Sequence, residues 1–304
     1  MTATASDPDR REASGTSLLR SAATMTYDPV VDIDWGAPLE RDKLYVPEHR
    51  STLYGTPLWD TMSQQQRVEL TKHEVASLAS MGIWFETILM QMLIRRAYDR
   101  DPRSANVQFT YTEIGDECRH SVMFAKLVDK LGTPFYKPVS SLHSGGRVLK
   151  TISNGPMCFA GALFVEEILD QLQREAMVDE SVQPLARAVA RVHVVEEARH
   201  MRFAREEAAI EFAEQGAAAK EWSKLIVGAT AFLASTQLIH PHVYTNVGLD
   251  TKEARRQAAA NPYWRETRHW AARRVRETCE EIGMITGPGK WMWRKAGLLG
   301  GRAG

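Results

Sequence analysis

From Trp59 onward, apolar residues recur three and four positions apart through long stretches free of proline and glycine. This is the periodicity of helices that bury one face. It predicts helices over about 64–100, 110–131, 157–178, 183–215 and 217–239, and a last one over about 262–282, with the first expected to bend before Glu74. Gly132 and Pro134 stop the second helix, Gly216 ends the fourth and His240-Pro241 interrupts the fifth. Asn261-Pro262 supplies a cap and a first-turn proline for the last. Residues 135–146, with Pro138 and Gly145-Gly146, read as a loop. Strand-like alternation is almost absent. The class is all-α, and the central helices have lengths suited to a four-helix bundle core with additional C-terminal helices.

Outside this body the texture changes. Residues 1–26 are polar and small, and read as a disordered N-terminal tail. Residues 27–58 carry Pro29, Pro38, Pro47 and Pro57 and read as an extended arm. The helical domain is expected over 59–286, followed by a loose basic tail over 287–304.

Composition narrows the class of partner. Lys+Arg and Asp+Glu both number 38 in 304 residues, so no global charge drives the chain to nucleic acid or to a membrane, and neither partner is expected. The longest apolar runs, 156–165 and 225–234, are half of the roughly 20 residues that a membrane span needs. Three irregularly spaced cysteines form neither a disulfide framework nor a thiolate metal site. The first 25 residues lack an apolar core and do not read as a signal peptide. A soluble, cytoplasmic protein is expected.

One short pattern occurs twice. Residues 116–120 read Asp-Glu-Cys-Arg-His and residues 196–200 read Glu-Glu-Ala-Arg-His, on the second and fourth predicted helices. In each copy Glu and His stand three apart and share a helical face. A Glu and a His from each of two helices, with one Glu from each of two others, is the donor set of a dinuclear carboxylate centre in a four-helix bundle. Glu117, His120, Glu197 and His200 are therefore candidate metal ligands.

The set requires two more carboxylates. On the first helix Glu86 is the only ionisable residue between Glu74 and Arg95, flanked by Trp84, Phe85, Ile88, Leu89 and Met90. A buried carboxylate there must pair, become neutral or bind metal. Beside two Glu–His pairs, ligation is the favoured reading. On the third helix Glu166 and Glu167 compete. Glu166 has Ala162, Leu163 and Leu169 at helical spacing, whereas Glu167 shares its stripe with Asp170, Gln171 and Arg174. Glu166 is expected to face the core and Glu167 the solvent. His193, four before Glu197 and seven before His200, lies on their stripe and is a candidate third nitrogen donor. Asp116 and Glu196 are placed to accept the ring N–H of the opposite histidine. Arg119 and Arg199 would neutralise those two acids, or form ordinary salt bridges. Cys118 reads as packing, and His240 and His242 as a helix end. Trp264, Trp270, Trp291 and Trp293 read as a helix-packing or dimer surface, and a homodimer is expected.

With Glu86, Glu117-x-x-His120, Glu166 and His193-x-x-x-Glu197-x-x-His200 assembled, the chain resembles the p-aminobenzoate N-oxygenase family of ferritin-like di-iron enzymes over roughly 59–240. The resemblance implies two iron ions per chain, with manganese able to replace either. Glu86, Glu117 and His120 would hold one ion, and Glu166, His193, Glu197 and His200 the other, with Glu117 and Glu197 bridging. The implied reaction uses O2 to oxidise an arylamine nitrogen through hydroxylamine and nitroso stages toward nitro, by way of a peroxo-di-iron intermediate. No residue beyond the ligands is assigned a catalytic role. Electrons would come from an external donor, a reductase or ferredoxin, because no flavin or NAD motif is present. The turns around Glu86 and Glu166 are apolar (Met81, Ile83, Met90, Phe159, Leu163, Leu169), and Arg95 and Arg96 lie more than two turns from Glu86. A neutral arylamine is thus favoured over p-aminobenzoate.

Two other readings use the same ligands. One is a di-iron hydroxylase or desaturase acting on carbon of an apolar or carrier-bound substrate. The other is a metal-storage bundle without enzymatic activity, against which the arm and the C-terminal helices argue.

Overall fold

The computed structural model describes residues 7–299, among which there are thirteen α-helices and no strand. They are α1 (Asp7–Thr24), α2 (Pro57–Thr61), α3 (Gln64–Tyr98), α4 (Ala105–Lys130), α5 (Ser140–Ile152), α6 (Pro156–Ala176) and α7 (Pro184–Glu214). The remaining six are α8 (Ala217–Thr236), α9 (His242–Asn246), α10 (Thr251–Ala260), α11 (Pro262–Ala271), α12 (Arg273–Glu281) and α13 (Gly289–Lys295).

Local chemistry sets the helix starts. A capping box opens α3: the Gln66 N–H donates to Ser63 Oγ, and the Ser63 N–H donates to Gln66 Oε1. Proline occupies the first turn of α6, α7 and α11, where its missing N–H is not needed. Helix α3 runs unbroken through Glu74. By length and hydropathy alone it could cross a membrane. Here its apolar face is the seam of the core, packed on α4 and α6.

Two hairpins, α3–α4 and α6–α7, pack against each other as a four-helix bundle. Their internal linkers are short, whereas α4 reaches α6 by a long crossover that contains α5. The expected loop over 135–146 is therefore half helical: Gly146 is drawn into α5 because its bare Cα fits against Trp84 and Ile88 of α3. Residues 25–56 have no α-helix, and the arm is pinned to the start of α7 where the Gln183 N–H donates to the Leu44 carbonyl at 2.7 Å.

Both ends depart from expectation. Residues 7–24, read as part of a disordered tail, form α1, which lies on α4 and α7. Leu18 and Ala22 are buried there, and Arg11 reaches Glu207 at 3.3 Å. Gly15 lets α1 approach closely, since a Cβ at that position would stand 2.6 Å from the Ala105 backbone. At the other end, α13 packs on α8 with Trp293 and Leu298 fully buried, so the segment read as a loose tail is docked over 289–299. Residues 1–6 and 300–304 lie outside the described residues. The last expected helix is split at Ala272 into α11 and α12.

Candidate metal centre

The bundle brings the seven candidate side chains together in its interior. Glu86 comes from α3, Glu117 and His120 from α4, Glu166 from α6, and His193, Glu197 and His200 from α7; all are buried. Their donor atoms form three overlapping groups, each mutually within 4.8 Å: Glu117, His120, Glu197 and His200; Glu86, His120 and His193; Glu166, His193 and Glu197.

Glu117 and Glu197 lie at the centre. His200 Nδ1 is 3.1 Å from Glu117 Oε1 and 3.1 Å from Glu197 Oε2. His120 Nδ1 is 3.5 Å from Glu117 Oε2. His193 Nε2 stands 4.0 Å from Glu86 Oε1, 4.0 Å from Glu166 Oε2 and 3.9 Å from Glu197 Oε2. Helical spacing thus places His193 among the carboxylates of three different helices.

Acceptors behind the imidazoles fix their tautomers. His120 Nε2 donates to Glu196 Oε2 at 2.9 Å, and His200 Nε2 donates to Asp116 Oδ2 at 3.0 Å. The pairing is crossed, each acid serving the histidine of the other helix. His193 Nδ1 donates to Gln173 Oε1 at 2.7 Å. The inner nitrogen of each ring faces the cluster. Against burial, Glu117 and Glu196 push His120 up to about 10, and Glu197 with Asp116 and Glu117 holds His200 well above the ordinary imidazole range, so these two rings give up a proton when they bind metal. Arg119 pairs with Asp116, while Arg199 lies 3.3 Å from Asp116 and 3.8 Å from Glu196. Both guanidiniums therefore neutralise the outer acids. The Tyr27 N–H of the arm donates to Glu196 Oε1 at 3.0 Å.

The inner atoms lack what the outer ones have. Glu86 Oε1, both Glu117 oxygens, His120 Nδ1, Glu166 Oε2, His193 Nε2 and Glu197 Oε1 are buried without a hydrogen-bond partner. Such groups are costly unless something else satisfies them. Burial, reinforced by neighbouring carboxylates, pushes Glu86 and Glu166 well above the usual carboxylate range, and Glu197 upward. Burial opposes ionisation of Glu117 too, but His120 and His200 override it and hold its carboxyl far below that range. Burial and the facing His120 keep His193 well below the ordinary imidazole range. Four carboxylates and three inward ring nitrogens fit two divalent cations, whose charge would balance the acids and replace the protons on carboxylates and imidazoles.

A narrow cavity of about 20 Å³ touches the cluster at Glu166. Phe85, Ile88, Met92, Met157 and Val165 wall it, and Leu149 of α5 roofs it. Met81, Ile83, Phe159 and Leu163, from the apolar turns expected to wall the substrate site, do not line it. Arg95 and Arg96 stay away from the slot: Arg95 binds the carbonyls of Lys150, Thr151 and Ser153, and Arg96 pairs with Glu207 and Glu211.

Two expectations need correction. Glu167 does not face solvent; it is fully buried and paired with Arg205 at 2.6 Å. Helices α8, α11 and α12 also cover α6, so both of its faces are inside the protein. Cys118 is exposed rather than packed. Three neighbours of the cluster escaped the sequence reading. Ser121 Oγ donates to Glu86 Oε2 at 2.5 Å. Gln173 stands seven residues after Glu166, a spacing that signals the same stripe. Glu113 stands four before Glu117, as His193 stands before Glu197, and burial pushes it up to about 8.

A helical bundle of this topology with a buried carboxylate–imidazole cluster is a ferritin-like fold. Residues 7–283 match the model of the p-aminobenzoate N-oxygenase AurF family, and the chain belongs to that family. The matched span contains every residue of the buried cluster. The protein is 27% identical over 198 residues to Uncharacterized protein Rv0885 of Mycobacterium tuberculosis and to Uncharacterized protein Mb0909 of Mycobacterium bovis. Those matches span 62% of this chain and only 58% of the relatives. Two variants of an R2-like ligand-binding oxidase with aerobically reconstituted Mn/Fe cofactor share the fold. Their TM-scores are 0.52 and 0.51 at 14% identity, covering 90% of this chain and 93% and 97% of theirs.

Proposed function

We propose that Glu86, Glu117, His120, Glu166, His193, Glu197 and His200 hold two iron ions, and that the chain uses O2 to oxygenate the nitrogen of an aromatic amine. The observation that carries the metal reading is the set of buried, unpartnered donor atoms that face one another from four helices. Family membership supports the amine. Manganese is an alternative occupant, supported by the Mn/Fe cofactor of the structural neighbours. Bound in this site, the metal pair would supply the redox chemistry that activates O2, with electrons from an external reductase or ferredoxin.

The chain's own residues do the rest. Glu117, between His120 and His200, and Glu197, between His193 and His200, would be the carboxylates shared by the two ions. Glu196, Asp116 and Gln173 hold the imidazole protons on the outer nitrogens, so that the inner lone pairs stay directed at the site. The apolar slot beside Glu166 receives the aryl ring and excludes water from the reacting nitrogen. At about 20 Å³ the slot admits a ring only when Leu149 and α5 move outward. Glu166 is its one ionisable group, which favours a neutral amine over an aminobenzoate.

The test is to supply the reduced, iron-loaded protein with ¹⁸O2 and a panel of arylamines and fatty acyl substrates, and to analyse products by mass spectrometry. Label in an N–O product is the expected result. Hydroxylated or desaturated acyl chains with unreacted amines would replace this reading with carbon oxidation.

A further inference from the structure

Away from the metal cluster, two cavities meet at Thr52, Ile239 and Trp264. The inner one, about 70 Å³, is walled by Leu78, Leu127, Leu172 and Val189 and reaches in to Gln173. Its carboxyl and guanidinium groups are those of Glu74 and Arg50. Glu74 Oε1 accepts from the Thr52 N–H at 2.9 Å and from the Thr52 hydroxyl, and Arg50 is paired with Glu175 at 2.7 Å. The outer one is an open cleft of about 670 Å³ between α10, α11 and the end of α8.

The outer cleft is lined by Lys252, Arg255, Arg256 and Arg268, and by no carboxylate. In a chain whose acids and bases balance, that concentration of one sign is local. Arg256 is paired with Glu253. No ion pair among the described residues engages Lys252, Arg255 or Arg268, and Arg268 Nε is buried with no hydrogen-bond partner. A guanidinium N–H without an acceptor is a standing cost that a bound anion would remove. Beside it, the Trp264 ring forms the wall common to both cavities.

We propose that this pair of cavities binds a small amphiphile, whose carboxylate or phosphate head sits on Arg255, Arg268 and Lys252 and whose short apolar tail passes Trp264 into the inner cavity. The guanidinium forks match either oxyanion head, and the inner walls match an alkyl tail. The site does not depend on how the metal centre is read.

Titration of the full chain with octanoate, octyl phosphate and octanol, followed by tryptophan fluorescence, tests the proposal. Both anions should give saturable changes that are absent in Trp264→Phe, and octanol should bind more weakly. The tighter of the two anions names the head group. Arg268→Ala and Arg255→Ala should each weaken anion binding by about tenfold, the effect of one charge-assisted contact. Arg255 is exposed, so Arg255→Ala keeps the test decisive if Arg268→Ala fails to fold. Octanol binding as tightly as octanoate, wild-type affinity in Arg255→Ala, or no saturation by either anion would overturn it.

Discussion

The two histidine-bearing helices of the cluster align over eight positions and share Glu, Arg and His at the last four: Glu-Ile-Gly-Asp-Glu-Cys-Arg-His at 113–120 of α4 and His-Val-Val-Glu-Glu-Ala-Arg-His at 193–200 of α7. Along the inward stripe they differ at one place, Glu113 against His193. The His193 ring is neutral, held by Gln173, and points a lone pair at Glu86, Glu166 and Glu197. Glu113 is neutral for another reason. Burial pushes its carboxyl up to about 8, with His200 working against the shift, and its Oε2 has no partner. The shared positions give each helix one central Glu and one His with a crossed acid behind it. The position a turn earlier decides which flank gains an extra nitrogen donor. The frame is symmetric and the donor set is not.

Breaking the shared part should have the largest effect. Glu117→Ala or Glu197→Ala removes a carboxylate common to both proposed metal positions. Each variant should lose most of both ions, measured by elemental analysis of the purified protein. Breaking the distinct part should do less. His193→Ala leaves six donors, so metal content should stay near two per chain, while the rate of arylamine oxidation falls by roughly a hundredfold. Gln173→Leu removes only the acceptor behind His193 and should weaken metal affinity by about tenfold, the lower end for such supporting residues. Retention of full activity by His193→Ala would reduce that histidine to a core packing residue.

Burial effects can be separated from metal effects at Glu74, which lies on α3 outside the inward stripe. Burial pushes its carboxyl up to about 7, against the opposing hydrogen bonds from Thr52. Unfolded, it ionises near its ordinary 4.5; folded, it holds its proton to about 7. The stabilisation is therefore complete below pH 4.5 and is lost as pH rises to about 7, an effect of about 3 kcal/mol at most. Glu74→Gln should flatten that part of the stability curve in urea unfolding across pH. The smallest effect is expected at Glu113. Its carboxyl is neutral at pH 7, so Glu113→Gln exchanges one neutral group for another. Metal content should be unchanged and stability should move by less than about 1 kcal/mol, read by thermal unfolding.

The bundle and its inward stripe were legible because their signals are local. A helical period set the four central helices, the repeated Glu-x-x-His marked two of them, and Glu86 stood alone in an apolar run. Glu113 lay inside the same repeat but was missed, since the pattern was matched only from position 116. Glu167 was assigned to solvent on the assumption that α6 buries one face; the covering helices α8, α11 and α12 are a tertiary fact that a single stripe does not encode. Helix α1 was hidden by its polar composition. What orders it is non-local: Arg11 against Glu207, and Gly15 against the α4 backbone. Helix α5 was masked by Gly145-Gly146, which read as chain breakers although Gly146 is where α5 presses on Trp84.

The central claim is a dinuclear centre built from these seven residues, and metal stoichiometry tests it most directly. Protein purified after expression in iron-supplemented medium should carry close to two transition-metal ions per chain by inductively coupled plasma mass spectrometry, and Glu117→Ala should carry close to none. One ion or fewer in the wild type, or wild-type content in Glu117→Ala, would contradict the account.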